Sequence, residues 1–240
     1  MTSTSATVLL TLTLPLLTAV AATQTPPAQD RAAALKQSLA QNQAALRQYT
    51  WIETTEISMK GEVKKQEQKQ CSYGADGKVQ KTPLPGQAAA PKKESVGGGG
   101  RRGGRVKEAI VANKVEDLKD YMEQVAALVH QYVPPDPQKI QAAQAAGKLT
   151  APTGTQPLMV KDYLKPGDQL SLGLDAASLK LTSYAVSSYV EKPKEDDVTL
   201  NVTFAALPDG TSYPQHVLLD VKAKAIQVKV TNSGHKKSGS

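Results

Sequence analysis

From Val198 to Asn232 the chain repeats with a period of two. Val198, Leu200, Val202 and Phe204 alternate with Thr199, Asn201 and Thr203. Such alternation makes a β-strand with one apolar and one polar face. Pro208-Asp209-Gly210 interrupts it with turn chemistry. A second run places Val217, Leu219 and Val221 on one face. A third places Ile226, Val228 and Val230 inward and Gln227 and Lys229 outward. Three consecutive strands with short links predict an antiparallel meander. A helical period would scatter these residues around a cylinder, so this stretch reads as sheet.

The rest of the chain is read against that sheet. Leu35, Leu39, Leu46 and Tyr49 fall at spacings that predict an amphipathic helix from about Gln29 to Gln48, with Asn42 in the missing apolar position. Tyr49 to Met59 predicts a strand presenting Tyr49, Trp51, Ile57 and Met59 on one face. Glu62 to Tyr73 predicts a long polar strand whose odd positions are Val63, Lys65, Glu67, Lys69, Cys71 and Tyr73. So charged a strand suits a sheet edge. Asp76-Gly77 signals a hairpin turn, and Lys78 to Thr82 a short third strand.

Residues 83–104, PLPGQAAAPKKESVGGGGRRGG, hold nothing that can bury a core, which predicts a disordered insert. Helical character returns near Val106. Leu118, Met122, Val125, Leu128, Val129 and Tyr132 form a stripe that stops before Pro134-Pro135. Asp136-Pro137 is an N-cap followed by proline at the first helical position, and Gly147 ends that short helix. Pro166-Gly167-Asp168 is a turn. Leu170, Leu172 and Leu174 alternate as a strand. Leu179 to Val190 is a longer one that changes face near Ser183, the mark of a bulge. Strands interrupted by helices predict an α+β fold, a curved antiparallel sheet wrapped or plugged by helices. We divide the chain into a leader at 23–28, a single domain over 29–233 that contains the insert, and a disordered tail at 234–240.

The formal charge is +7 over 240 residues. Lys92, Lys93, Arg101, Arg102 and Arg105, against Glu94, carry most of it, and His235-Lys236-Lys237 carries more. What remains is nearly neutral, which argues against a folded nucleic-acid surface. A single cysteine, Cys71, excludes a disulfide framework and reads as a buried strand residue. Residues 1–22 read as a secretory signal peptide: an apolar run from Val8 to Val20 and a small-x-small site, with cleavage expected after Ala21 or Ala22. The run is shorter than the roughly 20 apolar residues a membrane span requires. The expectation is a periplasmic or secreted protein without a transmembrane anchor in its mature form.

Three stretches carry a family resemblance. A helix runs straight into a strand at Leu46-Arg47-Gln48-Tyr49-Thr50-Trp51. Leu172 to Leu181, LGLDAASLKL, places an Asp at a strand corner. FAALPDGTSYP from Phe204 and then VLLDVKAKAIQVKVTN read as closing strands. Together with the element order they resemble the bacterial outer-membrane lipoprotein carrier and sorting proteins, the LolA/LolB-like half-open barrel, over most of residues 29–233. The resemblance implies an apolar cavity for acyl chains between sheet and helices, gated by the helices around 113–146. It implies a lipid, a lipoprotein or an envelope protein as partner. A second reading is an envelope interaction or regulatory module on the same scaffold with a filled core.

The residues expected to line such a cavity are Trp51, Ile57, Met59, Leu172, Val202, Phe204, Leu219 and Val228; ordinary core packing is the competing reading for each. Catalytic, cofactor and metal sites are not expected. His130, His216 and His235 are scattered without matching ligands. No G-x-S-x-G elbow accompanies the hydroxyl-rich run Tyr184, Ser187, Ser188 and Tyr189. Glu195-Asp196-Asp197 reads as a solvated turn. The expected class is a non-enzymatic binding protein.

Overall fold

The computed structural model describes residues 37–38, 40–84, 104–150, 156–175, 177–178 and 180–238, with side chains described from 116 onward in the long helix. A short helix, α1 (40–46), leads into a three-stranded meander: β1 (Tyr49–Met59), β2 (Glu62–Tyr73) and β3 (Val79–Pro83). Two helices follow, α2 (Gly104–His130) and α3 (Pro137–Ala145). Seven strands complete the chain: β4 (Leu149–Thr150), β5 (Leu158–Lys161), β6 (Gln169–Leu174), β7 (Leu181–Tyr189), β8 (Asp197–Ala206), β9 (Ser212–Val221) and β10 (Ile226–Lys237). The fold is α+β.

All ten strands form one open, curved antiparallel sheet in the order β3-β2-β1-β10-β9-β8-β7-β6-β5-β4. Every neighbouring pair is consecutive in sequence except β1 and β10. That pair joins the two ends of the domain, with Thr55 opposite Val230 and Ile57 opposite Val228. The order dictates where the helices go. The chain leaves the sheet at one edge, β3, and re-enters at the other, β4. Nine inter-strand gaps at about 4.8 Å make roughly 43 Å of sheet to cross. A helix of 27 residues is about 40 Å long, so α2 is long enough to bridge most of the distance between the edges.

Local chemistry sets the boundaries. Asp136 caps α3, its side chain accepting from the Gln138 N–H, with Pro137 in the first turn. Asp209 stops the link between β8 and β9 by accepting from the Thr211 N–H. The face change expected near Ser183 is a register irregularity opposite Gly173 and Leu174. A Cβ on Gly173 would lie 2.2 Å from the Ser183 hydroxyl, so a larger residue there would require the Ser183 side chain to move. Leu179 lies outside the described residues, and β7 starts at Leu181. The third strand is offset by one residue and takes in Pro83, while α2 begins at Gly104, so the insert is shorter at both ends than its composition suggests. The remainder of the insert, the leader and residues 1–22 lie outside the described residues.

The tail at 234–240 is corrected in part. β10 continues to Lys237, past the apolar run that ends near Val230. Its last residues pair with the start of β1, Lys237 opposite Tyr49. Gly234, in the left-handed region at φ +63°, absorbs a bulge opposite Trp51. No local pattern marks this extension, because its partner strand lies nearly 190 residues earlier.

Candidate functional site

Strand register sorts the inward side chains into rows that cross the sheet. One row runs Ile57, Val228, Leu219, Leu200, Val186, Leu170, Val160 and Leu149, from β1 to β4. Beside it runs Val230, Val217, Val202, Tyr184, Leu172 and Leu158. A shorter row holds Met59, Ile226, Val221 and Val198. Directly opposed residues share a face, so these rows form one continuous apolar floor.

The floor is covered unevenly. On β5 to β8 it is sealed: Val160 and Leu170 are fully buried, and Leu172, Tyr184, Val186 and Leu200 nearly so. Val125, Leu128 and Tyr132 from the α2 segment and Ala143 from α3 fill that half. On β1, β10 and β9 the row of Ile226 and Val221 stays buried, but the covering thins along the other two rows. Ile57, Val228, Leu219, Val217 and Val230 are only half-buried, as is Val202 on β8. The result is a half-buried apolar strip, two rows deep and about four strands wide, roughly 14 Å at sheet spacing, referred to below as the trough.

The sealed half is pinned by Asp168. One carboxylate oxygen accepts from the Tyr163 N–H at 2.6 Å; the other accepts from the Leu164 and Lys165 N–H groups at 3.0 Å each. The Tyr132 hydroxyl donates to that second oxygen at 2.5 Å. Its one proton is then committed, so the Ser188 hydroxyl 2.8 Å away donates to it in turn. The Tyr184 hydroxyl caps the Tyr132 carbonyl. Burial and the facing carboxylate push the Tyr132 phenol well above its ordinary value. The whole network lies within the core, with Asp168, Ser188, Tyr132 and Tyr184 all buried. It fixes the end of α2 to the sheet, and its serine has no base to activate it.

The opposite end of the strands carries an aromatic box. The His235 imidazole stacks on Trp51 at 6.0 Å and 9°, with Tyr213 at 4.0 Å and Tyr49 edge-on at 6.5 Å. Tyr73 also packs on Trp51, tilted, at 5.5 Å. The Trp51 indole N–H donates to Asn232, which donates to the Pro214 carbonyl. Tyr49 donates to Asp209 at 2.6 Å, and Lys237 pairs with the same carboxylate. Those bonds hold Asp209 well below the usual carboxylate range, while burial lowers the His235 imidazole. Asn42 of α1 exchanges two hydrogen bonds with the backbone of Ser212. The polar residue in the helix's apolar stripe is therefore its anchor to β9.

The trough's third side is ionic. Ile57 faces Lys65, Thr55 faces Glu67 and Glu53 faces Lys69 across β1 and β2, all on the floor's face. Glu67 pairs with Lys69 at 2.8 Å and Lys65 at 2.9 Å; Glu53 pairs with Lys81 at 2.6 Å. Hydrogen bonds from Lys69 and then Lys65 pull the Glu67 carboxyl down to about 2, from an ordinary 4.5. A depressed carboxyl stabilises the folded state above its unfolded pKa, and that contribution is lost as pH falls through the folded value. The gap in urea midpoint between the parent chain and Glu67→Gln should therefore be constant above about pH 5 and close between about pH 4.5 and pH 2. Parallel pH curves for the two proteins would contradict the pairing.

The eight expected cavity residues divide accordingly. Ile57, Val202, Leu219 and Val228 lie on the half-covered stretch of the two longer rows, Met59 is the half-buried end of a row otherwise buried, and Phe204 is a half-buried neighbour of the same core beyond a bulge in β8. Leu172 is buried in the sealed half, and Trp51 belongs to the aromatic box, bonded and stacked on all sides. Those two are corrected from lining to packing. Cys71 is fully buried opposite Trp51, and burial raises its thiol pKa, as an inert cysteine requires. Asp196 and Asp197 spend their carboxylates on backbone N–H groups of their own turn. His130 and His216 are exposed. Alternation put Val217 and Val230 on inner faces but did not single them out as lining, because their neighbours are set by register, and it missed the ionic side because β2 reads as a plain edge.

Two surface depressions of 340 and 380 Å³ lie elsewhere. The first is framed by α2, Lys165 and Val190, the second by the turns at Gly61 and Ala225. Lys165 spends its ammonium on the Tyr189 and Val190 carbonyls. Among the described residues no group of His, Cys, Asp and Glu could hold a metal ion, and no helix is long and apolar enough to cross a membrane. No family model, curated protein or solved structure matches the chain.

Proposed function

We propose that this is a non-enzymatic protein that binds an apolar or lipidated ligand in the trough on the β1–β10–β9–β8 side of the sheet. One observation carries the reading: a continuous apolar floor is sealed on β5 to β8 and along the Ile226–Val221–Val198 row, and is left half-covered along the two neighbouring rows on β1, β10, β9 and β8. Six half-buried aliphatic residues in register are an acceptor surface for a chain of methylenes, each contributing about 0.8 kcal/mol when buried. Mechanism is burial without covalent chemistry. The α2–α3 segment is the gate, because it packs on the same floor beside the trough and is anchored at its Tyr132 end. This is the arrangement that kinship with Lol-type carriers implies, and we place it, with them, in a half-open barrel. The apolar run at Val8–Val20 supports export to the periplasm, where lipoproteins are ligands within reach.

A titration with the neutral dye Nile red tests the reading. One saturable site with blue-shifted emission, competed by a long-chain alcohol, is expected. Emission that rises linearly without saturating, or is insensitive to competitor, overturns it and leaves the filled-core interaction module.

A further inference from the structure

We propose that the trough selects amphiphiles with a monoanionic head, a carboxylate in the first instance, held at the Lys65–Glu67–Lys69 triplet on β2. This rests on the apolar-trough reading above and assigns the polar end of its ligand.

The triplet stands where a head group would have to be. Lys65 is the cross-strand partner of Ile57, the first residue of the longest apolar row. A chain lying along Ile57, Val228 and Leu219 therefore meets Lys65 where it leaves the floor. Alternation would place core residues at 65, 67 and 69, on the face that carries Trp51, Cys71 and Ile57. Charges stand there instead. Two are partly withdrawn from water, the Glu67 and Lys69 side chains keeping 30% and 33% of their exposure, while Lys65 is exposed at 59%.

The charge balance chooses the sign. Glu53 is bonded by Lys81 through both carboxylate oxygens, at 2.6 and 2.8 Å. Glu67 alone serves both Lys65 and Lys69. The triplet thus carries one surplus positive charge, and each ammonium has three donors. An anionic head can share the two lysines with Glu67. A cationic head would find only a carboxylate already bonded twice. A single surplus charge matches a monoanion better than a dianion.

Displacement of Nile red by dodecanoate, dodecanol and dodecyltrimethylammonium, at about pH 8 where the carboxylate is ionised, isolates the head group from the tail. Dodecanoate should compete about five- to tenfold better than dodecanol, the range for partly exposed charge-assisted contacts, and the gap should shrink with added salt. The double variant Lys65→Gln, Lys69→Gln should bring the two competitors within about twofold. Glu67→Gln should widen the gap, because it frees both lysines. The three residues lie on β2, next to the edge strand β3, and the urea midpoint of each variant establishes that it is folded before binding is compared. Equal competition by acid and alcohol, or a preference that survives the double variant, overturns the head-group site while leaving the trough. Preferential binding of the ammonium compound overturns it in favour of the glutamates. If no amphiphile displaces the dye, the trough reading falls as well.

Discussion

Replacing Asp168 with alanine should lower the folding free energy by about 3–5 kcal/mol, read as a shift in the urea midpoint with an unchanged slope. The residue is 2% exposed and accepts four hydrogen bonds, three from consecutive backbone N–H groups and one from Tyr132. Alanine deletes the acceptor and strands the donors in the core, where each unsatisfied polar group costs about 1–3 kcal/mol. The loop at 162–168 can admit some water, which is why the estimate stays below the sum. Tyr132→Phe removes one of the four donors and leaves Ser188 without its acceptor, so about 1–2 kcal/mol is expected there. Domains of this size are stable by only about 5–15 kcal/mol. A loss under about 1 kcal/mol for Asp168→Ala would show that the network does not hold the α2 end to the sheet.

Val217→Trp should abolish ligand binding, weakening it about a hundredfold or more, while the protein remains folded. Val217 sits in the middle of the half-covered floor, opposite Val202 on β8 and Val230 on β10. An indole there occupies the space a ligand chain would take and buries apolar surface of its own. Stability should therefore hold or rise, since cavity-filling changes at half-covered sites commonly add about 0.5–2 kcal/mol. The same substitution at Leu172, already 3% exposed, would overpack a sealed core and cost about 1–3 kcal/mol. The contrast separates trough from core: unimpaired binding by Val217→Trp places any ligand elsewhere.

The strands were legible because alternation is local. β1 and β2 run over the spans their patterns predict, and the C-terminal meander appears in order. So did the α3 cap, since Asp136-Pro137 acts within one turn. What escaped the sequence depends on distance along the chain. Asp168 reads as the last residue of a Pro-Gly-Asp turn; only folding brings Tyr132 to it from 36 residues away. His235 reads as part of a basic tail, and the pairing of β10 with β1 turns it into the centre of an aromatic box. Asn42 reads as a flaw in an apolar stripe until Ser212 is placed against it. The candidate site shows the same division. Most of its floor was named from alternation, but which half stays uncovered follows from where α2 and α3 lie. The ionic side was visible as charged odd positions on β2, without the register that sets them beside Ile57.

Native mass spectrometry of the protein purified gently from a periplasm, before and after organic extraction, tests the central claim most directly. A stoichiometric lipid-sized adduct is expected, lost on extraction, restored by added fatty acid, and absent from Val217→Trp. A clean unliganded mass, together with no uptake of added lipid, would contradict the account and leave the half-covered floor as an interface for another protein.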